Sequence, residues 1–264
     1  DIPQPKRLEA LPYSVASADF DGAADRSSPF NDGSVAGKGF GLDLKYGLTS
    51  NMTLDATINP DFGQVEVDPA VVNLTDFETY FEERRPFFVE GANLFQYGAG
   101  GRSFAPNLFY SRRIGRAPSR PATEEGGWVD NPTATSILGA AKLTGKVGGW
   151  SVGVLNAVTS AEEARIQAAD GTRGTRPVEP LANYAVASLR RDFRGGNTGV
   201  GALTTGVNRD LGNPLFNGER RDAYAGGVDF FHRFAANQWA LSGTLSGSRV
   251  AGDAAAITAA QRSS

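Results

Sequence analysis

Cysteine is missing from all 264 residues, and histidine and methionine occur once each. Without thiols the chain can build neither a disulfide framework nor a thiolate metal or redox centre. With His232 standing alone, a multi-histidine zinc site is excluded as well. No run of about 18 apolar residues is present, which removes a helical membrane span. An excess of one charge is also lacking. The 26 Lys+Arg against 29 Asp+Glu leave −3 at pH 7, without the basic surplus that nucleic-acid binding draws on. The opening Asp1-Ile2-Pro3-Gln4-Pro5 has neither a basic n-region nor an apolar h-region, so the expectation is a removed signal peptide or a preceding domain.

Glycine, in contrast, is abundant at 33 residues, and the apolar residues follow period two. Phe40, Leu42, Leu44 and Tyr46 alternate with Gly41, Asp43, Lys45 and Gly47. After Thr49-Ser50-Asn51 the pattern restarts as Met52, Leu54, Ala56 and Ile58. Side chains alternate faces along a strand, so these are two strands, each with one apolar and one polar face, joined by a tight turn. Similar pairs are predicted at 135–147 with 150–160, 181–193 with 198–210, and 224–234 with 239–250. An opening strand is predicted over 7–18 and a further one over 108–115. The expected total is about ten strands, longer than the five or six residues usual in soluble sheets.

Connections alternate between tight turns (48–51, 148–149, 194–197, 235–238) and longer polar loops (19–37, 116–134, 161–180, 211–223). That asymmetry, with strands of about ten residues, predicts an all-β fold: part of an antiparallel transmembrane β-barrel of the outer-membrane type. A soluble β-sandwich is the competing architecture; it would carry shorter strands and a more charged polar face. Trp150, Phe193, Phe234 and Trp239 fall where strands meet tight turns, the position of an interfacial aromatic girdle. His232 shares a strand face with Phe230 and Phe234 and reads as an interfacial or lipid-facing ring rather than a ligand.

Residues 60–95 break the alternation. Thr75 followed by Glu78 forms a capping box that predicts a short helix from Asp76, stopped by Pro86. Phe77, Tyr80 and Phe81 would share one face of it, and Phe87-Phe88-Val89-Glu90 would continue as an extended piece. Irregular backbone cannot face lipid, so this stretch is expected inside the barrel as an inlay or plug. Its charges, Glu66, Asp68, Glu78, Glu82, Glu83, Arg84, Arg85 and Glu90, are expected to pair with wall residues, with Arg112, Arg113 and Arg116 as natural partners.

The run NPDFGQVEVDPAVVNLTDFETYFEERRPFFVEGANLF, together with LFYSRRIGR, resembles a bacterial family of large outer-membrane β-barrel proteins. That family is described mainly as a domain of unknown function, often downstream of a family 9-type carbohydrate-binding sandwich. The opening PKRLEALPY and the later GVDFFHRF and WALSGTLSGSRVAGD fit the same resemblance, which covers essentially the whole chain. It implies a barrel in the bacterial outer membrane and supplies no catalytic residues. The upstream sandwich is not within these 264 residues. Family members continue well past the equivalent of Ser264, so the resemblance implies the N-terminal part of a larger barrel.

Other chemistries were weighed on the residues. Glu66 with Asp68, or Glu78 with Glu82, would offer the paired acids of a surface glycan hydrolase, but ion pairs between inlay and wall explain them with fewer assumptions. Asp55, Asn59, Asp61 and Asp68 supply hard oxygen ligands without an EF-hand spacing. No G-x-S-x-G elbow accompanies His232, and no Lys-Ser/Thr follows the Gly98-Gly100-Gly101 cluster. Arg112, Arg113, Arg116 and Arg120 would also suit an anion-attracting constriction. The resulting expectation is a single domain over 1–264 that is not an enzyme and needs no cofactor. It would lie in the outer membrane and serve transport or surface binding of a saccharide or peptide polymer. Its partners would be the lipid bilayer, that ligand and the remaining barrel, with no nucleic acid. A structural or adhesion barrel is the further alternative.

Overall fold

The chain's structure is a computed structural model describing residues 7–20, 28–30, 33–60, 80–98 and 106–262. Alternation organises it. A nine-stranded antiparallel sheet runs through β1 (Leu8–Phe20), β2 (Ser34–Thr49), β3 (Met52–Ile58), β5 (Ile137–Val147), β6 (Trp150–Thr159), β9 (Ala182–Phe193), β10 (Thr198–Arg209), β11 (Arg220–Phe234) and β12 (Trp239–Gly252), adjacent in that order. Neighbours in space are mostly neighbours in sequence, as in the wall of an up-and-down barrel. The sheet is open: β1 and β12 form its two edges and do not pair with one another. The tight turns gather at one end. At Gly148 and Gly149, φ is 56° and 82°, the left-handed pair that a two-residue hairpin turn demands.

Four expectations need correcting, though the strand number of about ten is not one of them: among the described residues the main sheet has nine strands, and a second, three-stranded sheet brings the total to twelve. That sheet, β4 (Trp128–Asp130), β7 (Glu162–Gln167) and β8 (Arg173–Glu179), occupies regions expected to be plain loops. It closes on its own core of Ala122, Ala164 and Val178. No strand forms over 108–115; the chain is irregular there, with a 3-10 turn at Ser111–Arg113. Pro86 does not end a helix but starts one, α1 (Pro86–Val89). Proline is well placed at a first helical position, where its missing N–H would be unpaired anyway. Phe87-Phe88-Val89 is therefore helical rather than extended, and Tyr80 and Phe81 precede it in irregular backbone. The helix expected from Asp76, Phe77 included, lies outside the described residues up to position 79.

A C-terminal helix, α2 (Ala254–Arg262), follows β12. Asp253 caps it, its carboxylate accepting from the Ala256 N–H at 2.7 Å.

The register gives the two faces of the main sheet opposite characters. Outward lie Phe40, Leu42, Leu44 and Tyr46 on β2, Val152 and Val154 on β6, and Val228 and Phe230 on β11 beside Leu245 on β12. Phe40 is 72% exposed and Leu245 74%. Charge on this face is confined toward strand ends, at Lys38, Arg191, Asp222 and Arg249. Inward lie Lys45, Asp55, Lys142, Arg190 and Asp229. Against this inner face, Phe88, Phe95 and Ile114 from the segment between β3 and β5 pack on Ile137, Ala140, Leu155, Ala157 and Val186 of the wall. The hydrophobic core therefore lies between inlay and sheet.

Candidate functional site: the inlay and its wall

The described inlay has two arms, 80–98 and 106–119, joined by their own contacts. Arg85 is the clamp. Its Nε and one terminal nitrogen bond the Glu83 carboxylate at 2.8 and 2.7 Å. Its remaining donors reach the carbonyls of Ile114 at 2.6 Å and Ser111 at 2.9 Å. The guanidinium also lies 4.3 Å from the Phe88 ring centroid. Ser111 Oγ donates at 2.6 Å to Glu83 Oε2, the oxygen that also accepts from the Arg85 terminal nitrogen. Burial alone would raise the Glu83 carboxyl, but the Arg85 and Ser111 bonds outweigh it and hold the group below the ordinary glutamate range. The arms are also tied by Tyr110, which bonds both the N–H and the carbonyl of Phe81.

The wall grips the first arm through lysine. Lys142, only 1% exposed, donates to the carbonyls of Phe87 and Glu90 at 2.6 Å each. It also meets the Asp55 carboxylate at 3.7 Å. Lys45 contacts the Glu90 carboxylate and lies 4.0 Å from Asp55. The Lys45 hydrogen bond holds the Glu90 carboxyl below its ordinary range. A buried lysine is tolerated because α1 is so short. Its terminal carbonyls have no helical partner, and the ammonium supplies one while its own charge is met by Asp55.

Farther along, the Tyr97 hydroxyl reaches the carbonyls of Val228 at 3.1 Å and Leu245 at 3.0 Å. Gly227 makes this possible, since a Cβ there would stand 2.5 Å from the Tyr97 oxygen. The first arm thus touches the inner face from β2 to β12. A second inward ion pair, Arg190 with Asp229 at 3.0 Å, reaches across β10 above Gly201.

Of the charges singled out in the sequence, Glu66, Asp68 and Glu78 lie outside the described residues, as do Asp61 and the first half of the capping box. Glu82 engages through its carbonyl, which accepts from Arg112 at 2.8 Å. Arg112 also lies 5.7 Å from the Phe81 ring. Arg84 is exposed, and its N–H donates to Glu83. Because 108–115 is not a strand, Arg112, Arg113 and Arg116 belong to the second inlay arm instead of the wall. Among the described residues, wall cations meet this inlay at Lys45, which the alternation places on the polar face of its strand, and at Lys142, which no sequence pattern singles out. Asp55 faces these lysines, and no group of three or more potential metal-ligating side chains occurs among the described residues.

On the outward face, Trp150, Phe193, Phe234 and Trp239 form a band at the tight-turn end. Arg191 lies against two of these rings, 5.4 Å from Trp150 and 5.0 Å from Phe193. His232 stacks on Phe234 with centroids 5.6 Å apart and contacts Thr198 Oγ1 through Nδ1 at 2.8 Å.

Comparison with curated proteins returns no match. Among solved structures, the chain resembles the P. putida toluene transporter TodX at 10% identity and a TM-score of 0.27. The match covers 93% of this chain and 65% of that one. So low a score carries no argument about fold or function. Residues 4–262 match a family as a whole, and the chain belongs to the family described as Domain of unknown function (DUF5916).

Proposed function

We propose that this chain is part of an outer-membrane β-barrel that passes or docks a polymer, a saccharide or a peptide, through an interior narrowed by the inlay. On this reading it catalyses no reaction. Its partners are the bilayer, the polymer and the rest of the barrel beyond Ser264. The supporting observation is the inverted polarity of the main sheet. Its outward face is apolar with charge only toward the strand ends, while its inward face holds Lys142, Asp55, Arg190 and Asp229. Water does not favour so large an exposed apolar surface. Hydrocarbon does, and apolar-out with polar-in is how membrane barrels alternate. The ring of Trp150, Phe193, Phe234 and Trp239 then lies at headgroup level. An upstream family 9-type carbohydrate-binding domain, in relatives that carry one, would concentrate saccharide near such a barrel.

The test uses the full-length protein in planar bilayers. Replacing residues 81–96 by a short Gly-Ser linker raises single-channel conductance if the inlay narrows the path. Conductance unchanged from wild type would overturn the narrowing role.

A further inference from the structure

At the long-loop end of the inner face, the second inlay arm and β9 to β12 enclose a chamber of about 480 Å³, within the size range of small-molecule sites. Four guanidinium groups line it. Arg113 and Arg116 come from the inlay, and Arg209 and Arg220 from the wall. Among the described residues the lining contains one carboxylate, Glu219, which already faces Arg120 at 3.7 Å. Arg209 is engaged with the Arg220 carbonyl at 3.0 Å. The Arg116 and Arg220 side chains have no hydrogen-bond or ion-pair partner among the described residues. Tyr80, Phe109 and Tyr110 supply aromatic faces on the inlay side. The floor is braced from outside, since Ser119 donates both its N–H and its hydroxyl to Glu179 of β8 at 2.6 Å.

Arg113 has a partner of its own, but gathering Arg116, Arg209 and Arg220 around one cavity raises the folded state's energy through mutual repulsion, unless an anion offsets it. Guanidinium forks match oxyanions in a planar, two-point geometry that ammonium groups lack. Adjacent aromatic rings add a flat apolar surface of the kind that the C–H faces of a sugar ring cover. We propose that this chamber binds an acidic saccharide unit, its carboxylate held by Arg116 and Arg220 and its ring set against the inlay aromatics. The proposal deepens the function proposed above, resting on it for the route by which ligand arrives but not for the chemistry of the site.

The experiment is titration calorimetry on the full-length protein in detergent at low ionic strength. The probes are trigalacturonate, maltotriose and inorganic phosphate. Trigalacturonate binds, with affinity falling as salt rises; phosphate binds at least about tenfold more weakly and maltotriose not measurably. Arg116→Gln and Arg220→Gln each weaken trigalacturonate about tenfold, the loss expected for one charge-assisted hydrogen bond. Arg191→Gln on the outward face stays within about twofold, so a general loss of charge is not the cause. Absence of trigalacturonate binding, equal binding of maltotriose or phosphate, or unaltered affinity in both chamber variants would overturn the proposal. If binding persists while the linker variant leaves conductance unchanged, the chamber stands and the narrowed conduit falls. The opposite pair of results removes the chamber alone.

Discussion

Asp55 and Lys142 sit opposite one another in the β3–β5 register, and their charged ends meet at 3.7 Å beneath the inlay. Both are buried, so either one left without the other would be a poorly compensated charge. Removing one partner of such a pair costs about 3–5 kcal/mol, whereas replacing both with apolar or neutral groups costs far less. Lys142→Met is therefore expected to destabilise strongly, and Asp55→Asn with Lys142→Met to lose clearly less than the sum of the single losses. Denaturant unfolding in detergent, followed by tryptophan fluorescence, reads the cycle. Additivity within about 0.5 kcal/mol would show that the two groups are not coupled.

Acid should loosen the union of the two inlay arms. Glu83 is held below its ordinary range in the folded protein, so its stabilisation is fully present above the unfolded glutamate value of about 4.3. It is lost as pH falls from there through the lower folded value. Thermal unfolding between pH 6 and pH 3 should show a falling midpoint in wild type. Glu83→Gln should start lower and slope less. An identical slope in the variant would place the acid sensitivity elsewhere.

Gly227 leaves room for the Tyr97 hydroxyl between two strand carbonyls. Gly227→Ala is expected to displace that ring and destabilise by about 1–3 kcal/mol, the usual cost of overpacking. In a Tyr97→Ala background the same substitution should cost less, because the clash with the ring has gone and only the Leu245 carbonyl, 2.9 Å from the added Cβ, still stands in the way. Equal cost in both backgrounds would mean that Gly227 is required by the backbone rather than by Tyr97.

The long hairpins were legible in the residues because a two-residue period persists over ten or more positions, as from Phe40 to Ile58. The faces were legible for the same reason. The small sheet was not, since β4 has three residues and β7 and β8 read as charged loop: Glu162, Glu163 and Arg165, then Arg173 and Arg176. Their order comes from pairing with each other and from bonds such as Arg165 Nε to Asp130 at 2.8 Å, not from any local preference. Arg112, Arg113 and Arg116 stand close together in the sequence, but the turn at Ser111–Arg113 puts them on the second inlay arm rather than on the wall. The strand expected over 108–115 does not form because the backbone turns at Ser111–Arg113. The role of Lys142 was not legible because its partners, Phe87, Glu90 and Asp55, lie 52 or more positions earlier in the chain, and a lysine in a dyad strand ordinarily reads as solvent-facing.

Placing the inlay between β3 and β5 has a consequence for biogenesis. Tyr97 must find Leu245, 148 positions later in the chain, so the filling is synthesised before most of its container. The wall has to close around an occupant already attached to it, and contacts this distant in sequence delay folding. Maturation then resembles wrapping rather than threading, with the β11–β12 hairpin arriving after the inlay that it covers.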